Sequence, residues 1–302
     1  MRIFNKSFLL AHILLAALIG LVFSPGQKPV ADSAALLVGI GVCEALYLYK
    51  LLRQKEPTPA PSDIMSLVWL FILLWEILTT KLNLMHPVLV PAPEDVFNVF
   101  ATQYEVLLGG IVASMELLLI GFFFGIGLGV GLGLPVGWIP RLRAIFYPIA
   151  NVLTPIPPIV FAPYLIALMP TFRSASAVVI FLGIFFPTFL SIIIRVGSIE
   201  RRILDSARVL AVGNATMIGR ILLPYVIPGV VSGLKVTLTT SVMMLTFAEM
   251  MGATKGMGFY IINYTHYANY TNVVAGIIVV GLVVTILSRL VDSLQTKMIK
   301  WR

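Results

Sequence analysis

The stretch Ile199–Pro228, IERRILDSARVLAVGNATMIGRILLPYVIP, lies between two long apolar runs and carries four arginines and one aspartate. An arginine at the centre of a membrane helix costs about 2.5 to 3.5 kcal/mol, so four of them exclude this stretch from the hydrocarbon region. Apolar residues nevertheless recur in it every three or four positions, as they do on one face of a helix. The stretch therefore predicts amphipathic helices beside a membrane, in a chain whose flanking segments cross that membrane.

The rest of the chain has the composition of a membrane protein. Of its 302 residues, 59% are hydrophobic and 11% are charged, and its mean hydropathy is +1.00, whereas a soluble domain is about 25% charged. A single cysteine, Cys43, excludes a disulfide framework. Eight apolar runs are long enough to cross about 30 Å of hydrocarbon, near residues 8–23, 33–49, 64–80, 111–134, 145–169, 175–195, 228–250 and 272–292.

The lysines and arginines predict which side of the membrane each loop occupies. With the N-terminus inside, most of the 21 basic residues fall in cytoplasmic loops, as the positive-inside rule requires. Both termini of this multi-pass membrane protein are therefore expected in the cytoplasm. The net charge of +8 then reflects topology and not nucleic-acid binding.

The first sixty residues are expected to be a separate part of the chain. The run after MRIFNK is short enough to be a signal peptide, although a retained membrane helix is the favoured interpretation. The linker RQKEPTPAPSD, Arg53–Asp63, is rich in proline and polar residues and cannot continue a helix. We expect an N-terminal helix pair and linker over residues 1–60, and a core over residues 61–302 with a cytoplasmic loop at about 199–226.

Two short helices are expected in that loop, over roughly 199–211 and 215–223. Gly213 suits the end of the first helix and Asn214 suits the N-cap of the second. One interpretation is a helix pair that lies on the membrane surface. The other is a rigid docking element that fits a groove on a soluble partner.

Several segments resemble the permease subunits of ABC importers. Asp205–Pro224 resembles their signature loop, in which Asp205, Ser206, Ala207, Ile221, Leu223 and Pro224 fall in register, while Ala211 stands at the position of the motif's glycine and Gly213 follows two residues later. Three further segments resemble the nitrate, sulfonate, taurine and bicarbonate class of these permeases. They are LVPAPEDVF (Leu89–Phe97), TPIPPIVFAPYLI (Thr154–Ile166) and FAEMMGATKGMGFYI (Phe247–Ile261).

The resemblance implies an all-α polytopic protein, with a six-helix type I importer permease core to which two N-terminal membrane helices are added. It implies that the loop holds a coupling helix seated in a cytoplasmic ATPase subunit. The residues implied in coupling are Asp205, Ser206, Ala207, Arg208, Ala211, Gly213, Ile221, Leu223 and Pro224. The implied partners are a second permease copy, two ATP-binding subunits and an extracytoplasmic substrate-binding protein. The implied solute is a small anion, with vitamin precursors left open.

The chain itself is expected to be a transport subunit and not an enzyme. No Gly-x-x-x-x-Gly-Lys-Ser/Thr motif occurs in the sequence, so ATP and its magnesium ion are expected on the partner ATPase. The sequence offers no catalytic group and no metal-ligand pattern. An alternative is an ion-coupled secondary transporter, which would show paired inverted repeats and buried titratable residues.

Two spans supply candidates for the transport pathway. Pro155, Pro157, Pro158 and Pro163 each remove a backbone donor, which favours a broken span that lines a cavity; the alternative is a merely kinked helix. The other candidates are Met243 and Glu249, on the span near 228–250. Glu249 precedes a glycine-rich segment, and two roles are open for it: a gate or structural hydrogen bonding, and direct contact with substrate.

A stripe of glycines predicts where two spans pack closely. Gly121, Gly125, Gly129 and Gly133 lie one helical turn apart, and Gly127 and Gly131 form a second strip. Small residues let the backbones of membrane helices approach each other. We therefore expect a packing seam on this span.

Overall fold

The computed structural model describes residues 6–54 and 58–298. Within these ranges the secondary structure is helical, without β-strands. Among the described residues, seven helices are long and apolar enough to cross a membrane, and the number rises to eight if one sharply bent helix pair is counted as a span. They correspond to the eight apolar runs of the sequence.

The described residues divide into two compact units. The first contains the residues up to Leu107 together with Ile261–Ile278, and the second contains Leu108–Tyr260 and the residues from Val279 onward. The helices wholly within the first unit are α1 (Lys6–Phe23), α2 (Ala34–Leu52), α3 (Ala60–Glu76), which continues as a π-helical turn over Ile77–Lys81, and α4 (Pro93–Thr102).

The remaining helices complete the order along the chain. They are α5 (Tyr104–Trp138), α6 (Pro140–Leu153), α7 (Ala162–Leu168), α8 (Phe172–Gly197), α9 (Arg201–Val209), α10 (Asn214–Thr216), α11 (Leu223–Met250), α12 (Met257–His266) and α13 (Tyr270–Met298). A 3₁₀ turn over Pro158–Phe161 precedes α7, and a π-helical segment over Met217–Leu222 joins α10 to α11.

The first unit is built around an apolar cluster of the N-terminal helices. Leu18 of α1, Leu36 of α2 and Trp69 of α3 are fully buried in it. Because α3 begins at Ala60, the N-terminal pair packs directly against residues beyond the predicted boundary. The division of the chain near residue 60 stays a prediction.

A buried polar group lies where α3 meets α4 in the same unit. The Glu94 side chain is 1% exposed and accepts a hydrogen bond of 3.0 Å from the hydroxyl of Thr80. Glu76, which is fully buried, lies 3.1 Å from the Lys81 ammonium group. Burial raises the pKa of the Glu94 carboxyl to about 7, and the charge of Glu76 acts in the same direction.

The predicted glycine seam is present in the second unit, where α5 packs against α8. A Cβ atom added at Gly125 would lie 2.7 Å from Cβ of Ile184, and one at Gly133 would lie 2.8 Å from Cβ of Ile192. Gly127, on the second strip, has nothing within 4 Å of such an atom. One strip of glycines therefore makes the close contact, because only a residue without Cβ fits against the β-branched side chains of α8.

Candidate functional site

The loop that follows α8 contains one short helix with two different faces. On α9, Ala207 is buried, while Ile203 and Leu204 are half-buried in a cluster that includes Met217 and Leu222. The opposite face carries Asp205, whose carboxylate pairs with Arg208 at 3.1 Å, and Ser206, whose hydroxyl donates to a backbone carbonyl one turn earlier. Both members of the ion pair are exposed, so they contribute little to stability.

The helix ends in a Schellman motif centred on Ala211. The amide of Ala211 donates to the Arg208 carbonyl at 2.9 Å, and the amide of Val212 donates to the Ala207 carbonyl at 3.0 Å. Ala211 has a φ of +48°, the left-handed conformation that glycine adopts most easily. The prediction that Gly213 ends the helix was wrong, because Gly213 has a φ of −70° and precedes α10 as its N-cap residue.

The second predicted helix is not a separate element. Helix α10, the π-helical segment and α11 form one run from Asn214 to Met250. Asn214 is the first helical residue and not the N-cap, and its side-chain oxygen accepts a hydrogen bond of 3.0 Å from the indole of Trp138 at the end of α5. Met217 and Leu222 are buried beside Ala207, with Ile221 and Leu223 half-buried around them. The loop is therefore fixed to the ends of the spans.

Two apolar side chains project from the end of α9. Val209 is 86% exposed and Leu210 is 75% exposed. Leu210 lies three positions after the buried Ala207, so a continued helix would place it on the apolar face, but the Schellman turn leaves it exposed, outside the buried cluster. We call Asp205, Arg208, Val209 and Leu210 the outer face of the loop. Val209 was missed by the sequence reasoning, which counted only apolar residues that continue the helical stripe.

The proline-rich span is broken, as predicted. Helix α6 ends at Leu153, the 3₁₀ turn and α7 follow, and the two helical parts meet at an angle of 83°. Pro155 and Pro157 lie in the break, Pro158 begins the 3₁₀ turn, and Pro163 lies in the first turn of α7. A bend of this size exceeds that of a kinked helix. The backbone therefore changes direction inside an apolar segment.

Glu249 is fully buried near the end of α11, and both of its carboxylate oxygens are used. Oε1 accepts from the Ser114 hydroxyl at 2.6 Å, and Oε2 accepts from the Gly258 amide at 2.8 Å. The Ser114 oxygen in turn accepts from the Met257 amide at 2.9 Å. A Cβ atom at Gly256, whose φ is +133°, would overlap the carboxylate. This geometry favours the structural hydrogen-bonding role of Glu249. The sequence contained no pattern that distinguished Ser114 as its partner.

Met243 lies on an exposed stripe of α11. It is 56% exposed, and Val236 and Phe247, two turns before it and one turn after it, are also exposed. The hydroxyl-bearing residues Thr239 and Thr240 lie on the same face. The structure thus places the loop residues at one end of α11, Glu249 at the other end, and Met243 on the exposed face between them.

Comparisons with known proteins place the chain among transport permeases. Residues 105–300 match the family described as binding-protein-dependent transport system inner membrane component. The taurine transport system permease protein TauC of Escherichia coli is 25% identical over 260 residues, 84% of this chain and 92% of that protein. The putative aliphatic sulfonates transport permease protein SsuC of Bacillus subtilis is 25% identical over 236 residues, 76% of this chain and 84% of that protein. The nitrate import permease protein NrtB of Leptolyngbya laminosa is 28% identical over 189 residues, 63% of this chain and 68% of that protein.

A solved structure shares the fold. A chain of the MetNI methionine ABC transporter, in an inward-facing conformation, superposes with a TM-score of 0.54 at 20% identity, over 66% of this chain and 97% of that chain. The predicted fold class, an all-α polytopic membrane protein of the type I importer permease fold, is confirmed. Because the family match spans most of the residues, from Glu105 to Lys300, the chain belongs to the family of binding-protein-dependent transport system inner membrane components, the permeases of ABC importers.

Proposed function

We propose that this chain is the membrane-spanning subunit of an ATP-driven importer for a small oxyanion, and that its loop at residues 199–226 couples it to a separate ATPase. The observation that carries the proposal is the outer face of the loop. Val209 and Leu210 are exposed apolar residues on a segment whose arginines exclude it from the hydrocarbon. Exposed apolar side chains on a segment outside the hydrocarbon favour a docking surface for another protein.

The inner face of the same loop makes it suitable for transmitting force. Ala207, Met217 and Leu222 are buried in one cluster with residues of α5 and α8, and Trp138 bonds to Asn214. A push on the outer face is therefore passed to the ends of the spans and not absorbed by a flexible loop. Asp205, Ser206 and Arg208 would contact the ATPase, whereas Ala207, Ile221 and Leu223 would hold the loop in place.

Ala211, Gly213 and Pro224 would shape this coupling element. Ala211 reverses the chain after α9, Gly213 adopts the extended conformation that starts the next run, and Pro224 occupies the first turn of α11. Since α11 continues the run that begins at Asn214, Pro224 lies inside a helix, where its missing amide donor interrupts the backbone hydrogen bonds directly after the π-helical segment. The turn would keep α9 close to α11, so that both move together.

The transport pathway is proposed to run along the broken span and the exposed stripe of α11. Pro155, Pro157, Pro158 and Pro163 interrupt the backbone where freed carbonyl groups need water or protein as partners. Met243 lies on the exposed stripe. Glu249 would act indirectly, since its oxygens are occupied by Ser114 and Gly258. It would fix the geometry of one end of the pathway.

The substrate class is inferred from the named relatives. These relatives are named for taurine, aliphatic sulfonates and nitrate, and each of these solutes is an oxyanion or contains an oxyanion group. The assembly would comprise two copies of this permease, two ATP-binding subunits that hold ATP and magnesium, and an extracytoplasmic binding protein. Both termini would lie in the cytoplasm, as the distribution of basic residues predicts. The chain itself would bind no nucleotide.

Copurification and uptake test this proposal together. The tagged full chain is isolated from its native membrane, and the proteins that accompany it are identified and assayed for ATP hydrolysis. The assembly is then placed in liposomes with a binding protein, and uptake of labelled taurine and nitrate is measured with ATP, without ATP, and with an ion gradient alone. Uptake that requires ATP supports the proposal. Uptake by the isolated chain with an ion gradient alone would overturn it in favour of a secondary transporter.

A further inference from the structure

A small polar cavity lies between α8 and α11 in the second unit. Its volume is about 130 Å³, room for about four water molecules at roughly 30 Å³ each, and hence for one nitrate ion or one sulfonate group. Six residues carry its polar and open lining: Thr188, Ser191 and Arg195 from α8, and Gly229, Gly233 and Thr237 from α11. No aspartate or glutamate is among the residues that line it.

The guanidinium group of Arg195 is held over the backbone of α11 by a glycine. A Cβ atom at Gly229 would overlap this guanidinium group, so only glycine leaves it space. The Nε atom of Arg195 donates to the Ser191 hydroxyl at 3.3 Å. The two terminal nitrogens of the guanidinium group carry paired donors, which suit a planar or tetrahedral oxyanion. Neither nitrogen has an ion-pair partner among the described residues.

Two further side chains of the cavity lining, Thr188 and Ser191, carry hydroxyl groups. The methyl group of Thr188 is turned towards Gly129 of α5, since a Cβ atom at that glycine would lie 2.9 Å from Thr188 Cγ2. Ser191 accepts from Arg195 through its oxygen, which leaves its own hydrogen available. Thr237 differs, because its hydroxyl already donates to the Gly233 carbonyl at 3.1 Å.

The one lysine close to these residues on α11 does not compete for an anion. Lys235 lies 2.7 Å from a carboxylate oxygen of Asp292 on α13, so each neutralises the other. Arg195 therefore supplies the uncompensated charge at the cavity. Arg195 is exposed and Ser191 is half-buried, so an anion could reach the guanidinium group from solvent and be held there by charge and hydroxyl donors together.

We propose that this cavity binds the oxyanion headgroup of the imported solute on the side where the solute is released, with Arg195 as its charged ligand and Thr188 and Ser191 as hydroxyl donors. The inference rests on the proposed function for the substrate class and for the side of the membrane. In the predicted orientation the end of α8 that carries Arg195 is cytoplasmic. A simpler role for Arg195 is to stabilise the C-terminal end of α8 through its charge, and a lysine would serve that role equally well.

Ligand-induced stabilisation of the full-length chain tests the site without any transport. The protein is purified in detergent in a chloride-free gluconate buffer, and its Tm is followed while taurine, nitrate or sulfate is added. We expect a saturable rise in Tm with taurine and nitrate, and an apparent Kd that is roughly tenfold weaker in Arg195→Gln because the charge-assisted bonds are lost. Arg195→Lys should also weaken binding, since it keeps the charge but loses the paired donors.

Arg143→Gln is the matched control. Arg143 packs against Gly197 as Arg195 packs against Gly229, and it lines a cavity that contains no serine or threonine. Its loss should leave the apparent Kd unchanged, whereas Thr188→Val, which keeps the shape of the side chain, should weaken binding severalfold. Equal effects of Arg143→Gln and Arg195→Gln, or wild-type binding in Arg195→Lys, would overturn the site.

The choice of anions separates the possible sources of the ligand. A response to sulfate without one to taurine or nitrate would assign the cavity to a free inorganic anion and overturn its role in solute release. Should taurine and nitrate bind through Arg195 while the complete assembly transports neither, the proposed function fails and the oxyanion site stands. Should the assembly transport them while Arg195→Gln binds them as the wild type does, the site fails and the proposed function stands.

Discussion

The hydroxyl oxygen of Ser114 on α5 lies 2.6 Å from Oε1 of Glu249 on α11. The same oxygen accepts a hydrogen bond of 2.9 Å from the Met257 amide. One buried hydroxyl group thus satisfies a carboxylate oxygen and a backbone donor where α5, α11 and α12 meet. Because a buried polar group without a partner is costly, this serine holds the glycine-rich segment in place.

Ser114→Ala is expected to destabilise the protein by roughly 1 to 3 kcal/mol, since it leaves both the Glu249 oxygen and the Met257 amide without this partner. The measurement is the Tm of the purified chain in detergent. Ser176→Ala is the matched control, because Ser176 is also buried but its hydroxyl has no hydrogen-bond partner within the described ranges. Equal losses in the two variants would contradict the structural importance of the Ser114 bond.

Ala211→Gly is expected to stabilise the loop by about 1 kcal/mol, since glycine adopts a positive φ without a steric penalty. Ala211→Val should have the opposite effect, because a β-branched residue fits poorly there. Ala215→Gly serves as the control. Ala215 lies in helical backbone, where glycine costs up to about 1 kcal/mol. Thermal unfolding of all three variants measures the difference, and a loss of stability in Ala211→Gly would contradict the Schellman turn.

Gly125→Ala is expected to cost about 1 to 3 kcal/mol through overpacking, because its Cβ would lie 2.7 Å from Cβ of Ile184. Cβ of Ile184 is bonded directly to the backbone of α8, so it cannot move away unless the backbone moves with it. Gly127→Ala makes the same chemical change where nothing lies within 4 Å. It should be neutral or slightly stabilising, as expected for glycine to alanine in a helix. A similar Tm for the two variants would exclude the seam.

The stability of the chain is expected to fall as the pH rises from about 4.5 to about 7, with Glu94 as the cause. Its carboxyl has a pKa of about 7 in the folded protein against 4.5 ordinarily, so the folded state binds a proton that the unfolded state releases. This contribution is complete below the lower value and is lost as the pH passes the higher one. Its size is on the order of 3 kcal/mol.

Glu94→Gln should remove this part of the pH dependence. The side chains that act on the Glu94 carboxyl are Glu76, which itself pairs with Lys81, and the Thr80 hydroxyl, and the substitution alters none of them. The Tm of both proteins is measured between the two pKa values and above them. A wild-type Tm that stays constant across this pH range would show that the Glu94 carboxyl does not control the pH dependence of stability. The same pH dependence of Tm in Glu94→Gln would show this as well.

Val209→Ser with Leu210→Ser is expected to abolish uptake and to weaken binding of the ATPase partner, because these substitutions remove the apolar part of the outer face. Both residues are exposed, so the stability should change by no more than about 0.5 kcal/mol per substitution. Asp205→Lys should act in the same direction through its charge. The readouts are copurified ATPase and ATP-dependent uptake. Ala215→Ser is the control, because Ala215 is exposed in the same loop but does not belong to the outer face. Normal uptake by the double variant would exclude a coupling role for Val209 and Leu210.

The features that the sequence determined by itself are those with local causes. The spans follow from runs of apolar residues, and the prediction that Arg201, Arg202 and Arg208 lie outside the hydrocarbon follows from the cost of burying charge. The break between α6 and α7 follows from prolines that lack an amide donor. The glycine seam was visible because one residue type recurs at the helical period.

The tertiary structure decided the features that join distant residues. Ser114 and Glu249 are 135 positions apart, so no local pattern could pair them. Local preference favoured Gly213 as the helix terminator, but burial of Ala207 and Met217 in one cluster fixed where α9 had to turn, and this placed the strained conformation on Ala211 and exposed Leu210. The preference for a positive φ differs by only about 1 kcal/mol between glycine and alanine. The free energy gained by packing a buried cluster outweighs that difference.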